Sequence, residues 1–163
     1  ALDIVNQVLG GGMSSRLFQE VRERRGLAYS VYSHRAAYRD AGFVGVYAGT
    51  APLRAHTVVE VVHEQLDLLV EGGISADELD HAKCNLKGGL ALGLEESAAR
   101  MSRLGRAELL SGEVLGIDEV VARVEAVDGD DVARVIDRVF RSGERVLAVV
   151  GPFDEGSFDR LVA

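Results

Sequence analysis

The chain has 163 residues, 47% of them hydrophobic, and its 26 acidic and 18 basic side chains leave a net charge of −8. That is about one domain's length, with too much apolar content for wholesale disorder and too little basic charge for a surface that neutralises phosphates. No apolar run approaches the ~18 residues of a membrane span, and the single cysteine, Cys84, excludes an intramolecular disulfide or a cysteine-built zinc site.

The chain opens Ala1-Leu2-Asp3-Ile4-Val5-Asn6 with no initiator Met. No positively charged stretch precedes an apolar one, so no signal peptide is visible. Leu2, Val5, Val8 and Leu9 recur at helical spacing. The chain is therefore expected to begin inside a helix, as a piece of a longer protein. Gly10-Gly11-Gly12 should stop that helix and leave a flexible loop without side chains. A second helix is expected from Ser14 to Arg25, with Met13, Leu17, Phe18 and Val21 on one stripe and Gly26 at its end.

Two strands follow. Over Leu27 to Ala37, Ala28, Ser30, Tyr32 and His34 alternate with Leu27, Tyr29, Val31 and Ser33. Gly42 to Thr50 carries Phe43, Val44, Val46 and Tyr47, and Tyr38-Arg39-Asp40-Ala41-Gly42 reads as the hairpin connection. A helix from Pro52 to Glu71 buries Val58, Val59, Val62, Leu66, Leu69 and Val70, with Pro52 in its first turn and Gly72-Gly73 beyond its end. Ser75 and Glu78 form a capping box that opens a helix striped by Leu79, Ala82, Leu86 and Leu90. Gly88, Gly89 and Gly93 each cost that helix about 1 kcal/mol relative to Ala, which close packing against a neighbour would offset. Cys84, on the same helix, is expected to be an ordinary reduced, partly buried thiol.

Ser97 to Ser111 reads as helical through Met101, Leu104 and Leu109. Short helices start at Asp118 and Asp130. Arg145 to Val150 has the make-up of a buried strand, ended by Gly151-Pro152, and a last short helix is expected from Phe158 to Val162. Helices grouped on one face of a mainly antiparallel sheet give an α+β domain, a two-layer sandwich formed by residues 1–163 as a single unit.

Three constellations bear on chemistry. His56, Glu60 and His63 share one helix face, and His63-Glu64-Gln65-Leu66-Asp67 is half of H-E-x-x-H. At about 100° per residue these groups, with Asp67, lie opposite the valine stripe. That is the solvated flank of an amphipathic helix, whereas catalytic zinc needs a dry, shaped cavity. The triglycine is followed by no Lys-Ser/Thr, so it is no phosphate loop. It is either a helix stop or a backbone surface on which a peptide could lie. Arg22 and Tyr29 stand seven residues apart across a helix end and a strand start. Arg22 lies roughly 110–120° from the centre of its apolar stripe, where a guanidinium can reach a cleft. With five donors on Arg and one on Tyr, the pair suits a carbonyl or oxyanion of a bound peptide. The plainer alternative is a solvated, dipole-complementing helix end, Arg22-Glu23-Arg24-Arg25.

The stretch Leu9-Gly10-Gly11-Gly12-Met13-Ser14-Ser15-Arg16-Leu17-Phe18-Gln19-Glu20-Val21-Arg22-Glu23-Arg24-Arg25-Gly26-Leu27-Ala28-Tyr29-Ser30-Val31 closely resembles the C-terminal half of zinc peptidases related to pitrilysin, insulinase and mitochondrial processing peptidase. The likeness continues through Asp40-Ala41-Gly42-Phe43, Glu78-Leu79, Ala82-Lys83 and Gly88, and ends in Leu147-Ala148-Val149-Val150-Gly151-Pro152. The resemblance implies a LuxS- and processing-peptidase-like fold in which two similar domains close around a peptide. It implies zinc held by an inverted H-x-x-E-H motif in the first domain and an Arg/Tyr pair in the second. By motif position that pair falls on Arg22 and Tyr29, the catalytic candidates, and the family's substrate loop falls on Gly10, Gly11 and Gly12.

No H-x-x-E-H occurs in this sequence, and the strands that open such second domains are absent, so an N-terminally truncated second domain is expected. Zinc would then be a cofactor of the full-length enzyme, bound outside these residues, with no metal ligand within them. Partners expected from the resemblance are a peptide substrate, an N-terminal zinc-binding domain of the same or a partner chain, and a second subunit in a dimer. No nucleic acid and no membrane span are expected, and the location is taken as cytoplasmic. The expected function is to bind substrate and complete the active site of a zinc metalloendopeptidase acting on peptides or presequences. Zinc-bound water would attack the scissile carbonyl, Tyr29 would donate to the oxyanion, and Arg22 would hold a neighbouring carbonyl. The alternative is a non-catalytic structural subunit of the same family.

Overall fold

A computed structural model of the chain describes residues 1–38 and 40–161, with the side chain of Ser111 left aside. Arg39, inside the expected hairpin connection, and Val162, at the end of the expected last helix, lie outside the described residues.

Helix α1 (Leu2–Gly10) buries Ile4, Val5, Val8 and Leu9, the stripe its spacing dictates. It lies on strand β1 (Ala28–Ala37), which pairs antiparallel with β2 (Gly42–Thr50) from Ala37↔Gly42 to Ala28↔Thr50. The hairpin connection closes with Tyr38 N–H donating to the Ala41 carbonyl at 2.8 Å. Between α1 and β1 the chain makes a wide π-helical segment, Phe18–Arg24, with Leu17 and Val21 buried. Met13, expected on that stripe, instead stands in solvent, because the helical turns begin only after it.

After β2, a 3-10 turn (Pro52–Arg54) leads into α2 (Ala55–Gly72), which packs on β2 and on the π-helical segment. Its buried positions are Ala55, Val58, Val61, Gln65 and Leu69; of the expected stripe Val58 and Leu69 are buried, while Val59, Val62, Leu66 and Val70 are half-buried on its flank. Helices α3 (Ala76–Gly93), α4 (Ser97–Arg106), α5 (Ile117–Glu125) and α6 (Gly129–Ile136) follow. Val132 and Ile136 of α6 complete a core shared with α1, β1, the π-helical segment and α2. Helices thus cover one face of an antiparallel ladder, an α+β architecture. Among the described residues the ladder has two strands.

The capping box at Ser75 is closed in both directions, Glu78 N–H donating to Ser75 Oγ at 3.2 Å and Ser75 N–H to Glu78 Oε2 at 2.8 Å. The same carboxylate accepts two bonds from Arg16, at 2.7 and 2.8 Å, while Arg16 also donates to the Gly73 carbonyl at 2.8 Å. This fork fastens the triglycine end of the second helical stretch to the start of α3.

Several expectations are corrected. Residues 145–150 form no strand in the described structure, and Val146 and Val150 are exposed. β-Branched content supplies propensity, but a strand exists only when its amides find a ladder, and here neither β1 nor β2 is the partner. Among the described residues Gly88, Gly89 and Gly93 meet no neighbour, since a Cβ at each would find nothing within 4 Å. Cys84, also on α3, is exposed rather than partly buried. Met101, Leu104 and Leu109, through which the next segment reads as helical, are exposed. The expected helix Ser97–Ser111 is α4 extended by a π-type stretch, Ala107–Ser111, and the expected last helix is a 3-10 turn, Asp159–Leu161.

Candidate functional site

A β-bulge between Ala28 and Ser30 sets the site. Simple alternation would put Tyr29 on the same face as Val31 and Ser33. The irregularity instead turns Ala28 inward with Val31 and Ser33 and leaves Tyr29 86% exposed. Bulges re-aim a side chain in this way, at the cost of one local ladder contact.

Arg22 arrives from the π-helical segment, a wide-turn geometry that recurs at functional sites. Gly26, at φ +58°, turns the chain so that β1 starts beside it, and Leu27 N–H reaches back to the Val21 carbonyl at 2.7 Å. Only glycine adopts that left-handed geometry without strain. The Arg22 guanidinium carbon lies 5.6 Å from the centre of the Tyr29 ring and 4.9 Å from that of Phe18. Contacts of this length are cation–π contacts, and they hold the guanidinium by its face. Among the described residues its N–H groups meet no hydrogen-bond acceptor; the side chain is 43% exposed and makes one loose ion pair, with Glu23 at 3.9 Å. The neighbouring arginines are engaged: Arg24 pairs with Glu20, and Arg25 with Glu64 at 2.9 Å.

Tyr29 lines an open hollow of about 560 Å³ between the start of β1, the end of β2 and the 3-10 turn, together with Gly26, Ser30, Tyr47, Gly49 and Arg54. A Cβ at Gly49 would come 3.3 Å from the Tyr47 hydroxyl, so the phenol lies over that glycine. Tyr47 stacks on Tyr32, with ring centres 5.1 Å apart, and the aromatic file continues through His34 to Phe43. Tyr47 and Arg54 carry no signal in the sequence, because only the pairing of β1 with β2 and the 3-10 turn after β2 bring them to the hollow that Tyr29 lines.

The triglycine lies elsewhere. None of its residues lines the hollow. Gly10 is buried, and a Cβ there would sit 2.3 Å from the Ser33 backbone nitrogen, so this glycine serves the close approach of α1 to β1. Gly11 is exposed and Gly12 partly so.

His56 is exposed on α2 and stacks on Phe158, with ring centres 4.2 Å apart, while its Nε2 meets the Ser157 carbonyl at 2.9 Å. Among the described residues no three His, Cys, Asp or Glu side chains converge as metal ligands do. The residues present do not fit zinc, and no chemical step is assigned to a metal held here. No helix among them is long and apolar enough to cross a membrane.

Residues 1–86 match the peptidase M16 inactive domain, and the chain belongs to this family. It is 45% identical over 161 residues to a Streptomyces coelicolor protein named an uncharacterized zinc protease, covering 99% of this chain and 35% of that protein. A solved Helicobacter pylori protease superposes with a TM-score of 0.73 at 26% identity, over 85% of this chain and 34% of the other. A solved peptidase M16 inactive domain from Pseudomonas fluorescens gives 0.72 at 26% identity, over 84% and 33%. The chain thus spans about a third of the length of the curated relatives it matches.

Proposed function

We propose that this domain is the substrate-holding second half of a zinc metalloendopeptidase, completing an active site whose metal lies in another domain of the same or a partner chain. The observation that carries the reading is the Arg22–Tyr29 pair: both side chains reach solvent, Tyr29 lines the open hollow, and the Arg22 guanidinium stands beside its ring, 5.6 Å from the centre. A purely structural subunit would need neither group presented to solvent.

In this reading a peptide lies across the hollow. The Tyr29 hydroxyl donates to the carbonyl oxygen on which charge develops, where a fixed donor counts for more than in water. Arg22 donates to a neighbouring carbonyl and fixes the register. Phe18 holds the guanidinium in place beforehand, so little ordering cost remains at binding. Gly11 and Gly12 offer a side-chain-free surface for a more distant part of the peptide. The partners are the peptide, a zinc-bearing N-terminal domain, and a second subunit in a dimer.

The test is Tyr29→Phe in the full-length protein, assayed on a quenched fluorescent peptide. Losing one oxyanion donor lowers kcat by about 10²–10³, with the melting temperature unchanged. Wild-type turnover in that variant would remove Tyr29 from the reaction.

A further inference from the structure

Among the described residues one cationic side chain lines the hollow, and the substrate-holding role gives it no task. Arg54 ends the 3-10 turn before α2, lines the hollow beside Tyr29, and donates from Nη1 to the Gly26 carbonyl. That bond occupies one of a guanidinium's five donors and fixes where the head group sits. No carboxylate among the described residues pairs with it. Arg100, Arg103, Arg106, Arg138 and Arg160 likewise have no carboxylate partner among the described residues, but of these six arginines Arg54 is the one that lines the hollow. Arg16, Arg25, Arg35, Arg123, Arg141 and Arg145 each hold a carboxylate.

An arginine left without a counter-ion, anchored by one bond at the rim of a concave surface, keeps its planar fork for an outside anion. A carboxylate matches that fork with two parallel bonds. A neutral carbonyl or amide would satisfy one donor and leave the charge uncompensated. Tyr29 stands in the same hollow, so the anion would belong to the molecule whose backbone Tyr29 and Arg22 hold.

We propose that Arg54 is a specificity-determining residue that binds a carboxylate of the substrate peptide, borne either by an Asp or Glu side chain or by the C-terminus, close to the position held by Tyr29. The proposal rests on the substrate-holding reading of the hollow but reads out separately from catalysis.

The experiment uses the full-length protein with chelator present, so that binding is measured without turnover. Fluorescence anisotropy follows labelled nonapeptides in which one Glu moves along an otherwise neutral sequence. Each is compared with its Gln counterpart, and each is made with a free and an amidated C-terminus. Wild type should bind one carboxylate-bearing form at least about tenfold more tightly than its neutral match, the usual scale for a hydrogen-bonded ion pair. The Glu/Gln arm rather than the free/amidated arm identifies a side chain, and the reverse identifies the terminus. Arg54→Gln, which keeps an N–H for the Gly26 carbonyl, should bring matched peptides within twofold. Arg54→Lys should keep part of the contrast, and rising salt should erode it in wild type.

Wild type without any contrast overturns the proposal, as does an unchanged contrast in Arg54→Gln. The first of these outcomes needs wild type alone, so a poorly folding variant does not shield the idea. Normal turnover by Tyr29→Phe alongside a clear carboxylate contrast would overturn the catalytic reading and leave Arg54 standing.

Discussion

Glu78 serves two structures at once, the cap of α3 and the fork from Arg16. Chiefly the hydrogen bonds from Arg16, with those from Ser75 added, hold its carboxyl down at about 2 from an ordinary 4.5, against the opposing pull of partial burial. Because the folded value lies below the unfolded one, the stabilisation is fully present above about 4.5 and is lost as pH falls toward 2. With the two side chains 21% and 31% exposed, solvent screening leaves about 1–2 kcal/mol of it. Glu78→Gln should therefore lower stability by that amount at neutral pH and flatten the acid limb below pH 4.5 in denaturant titrations. The cap was legible in the sequence as Ser75-x-x-Glu78. The fork was not, since Arg16 lies 62 residues away and only packing brings it there.

The glycines separate two kinds of element contact. Gly10 is where α1 touches β1 most closely, and Gly10→Ala would press a methyl into the Ser33 backbone. Backbone cannot give way as a side-chain tip can, so a loss of about 1–3 kcal/mol is expected, as for other overpacked interiors. Gly88 and Gly89 lie on the open side of α3 with nothing near. Alanine at either should add up to about 1 kcal/mol through helix propensity, raising the melting temperature by about 2–4 °C. Thermal unfolding of the three variants checks both signs, and a Gly88→Ala loss would reveal a contact on that side. A Gly-rich helix reads identically in sequence whether its glycines are packed or bare. The strands show the same division: β2 was legible from Gly42 to Thr50, whereas the bulge at Ala28–Ser30 followed no residue pattern. That one irregularity reverses the facing of Tyr29.

At the scale of the molecule, apolar side chains from several elements remain uncovered: Leu92 on α3, Met101 and Leu104 on α4, Leu109 beyond it, and Val146 and Val150 near the C-terminal end. The division of labour proposed for the metal is directly measurable. The 163-residue chain, purified and analysed by atomic emission, should carry no stoichiometric zinc. One equivalent bound to His56, His63 or their neighbours would contradict the site as described.

The sequence by itself determined what is local. Apolar periodicity set α1 and α2, the Ser75 capping box opened α3, and the order Gly10-Gly11-Gly12 to Arg22 to Tyr29 carried the family resemblance. These depend on residues a few positions apart, whose geometry the backbone fixes. Tertiary structure decided what depends on distant segments meeting. It aimed Tyr29 outward, set Tyr47 and Arg54 beside it, buried Gly10 away from the hollow, and left 145–150 without a ladder. Register, bulge and pairing are properties of two segments together, and one strand's residues do not contain them.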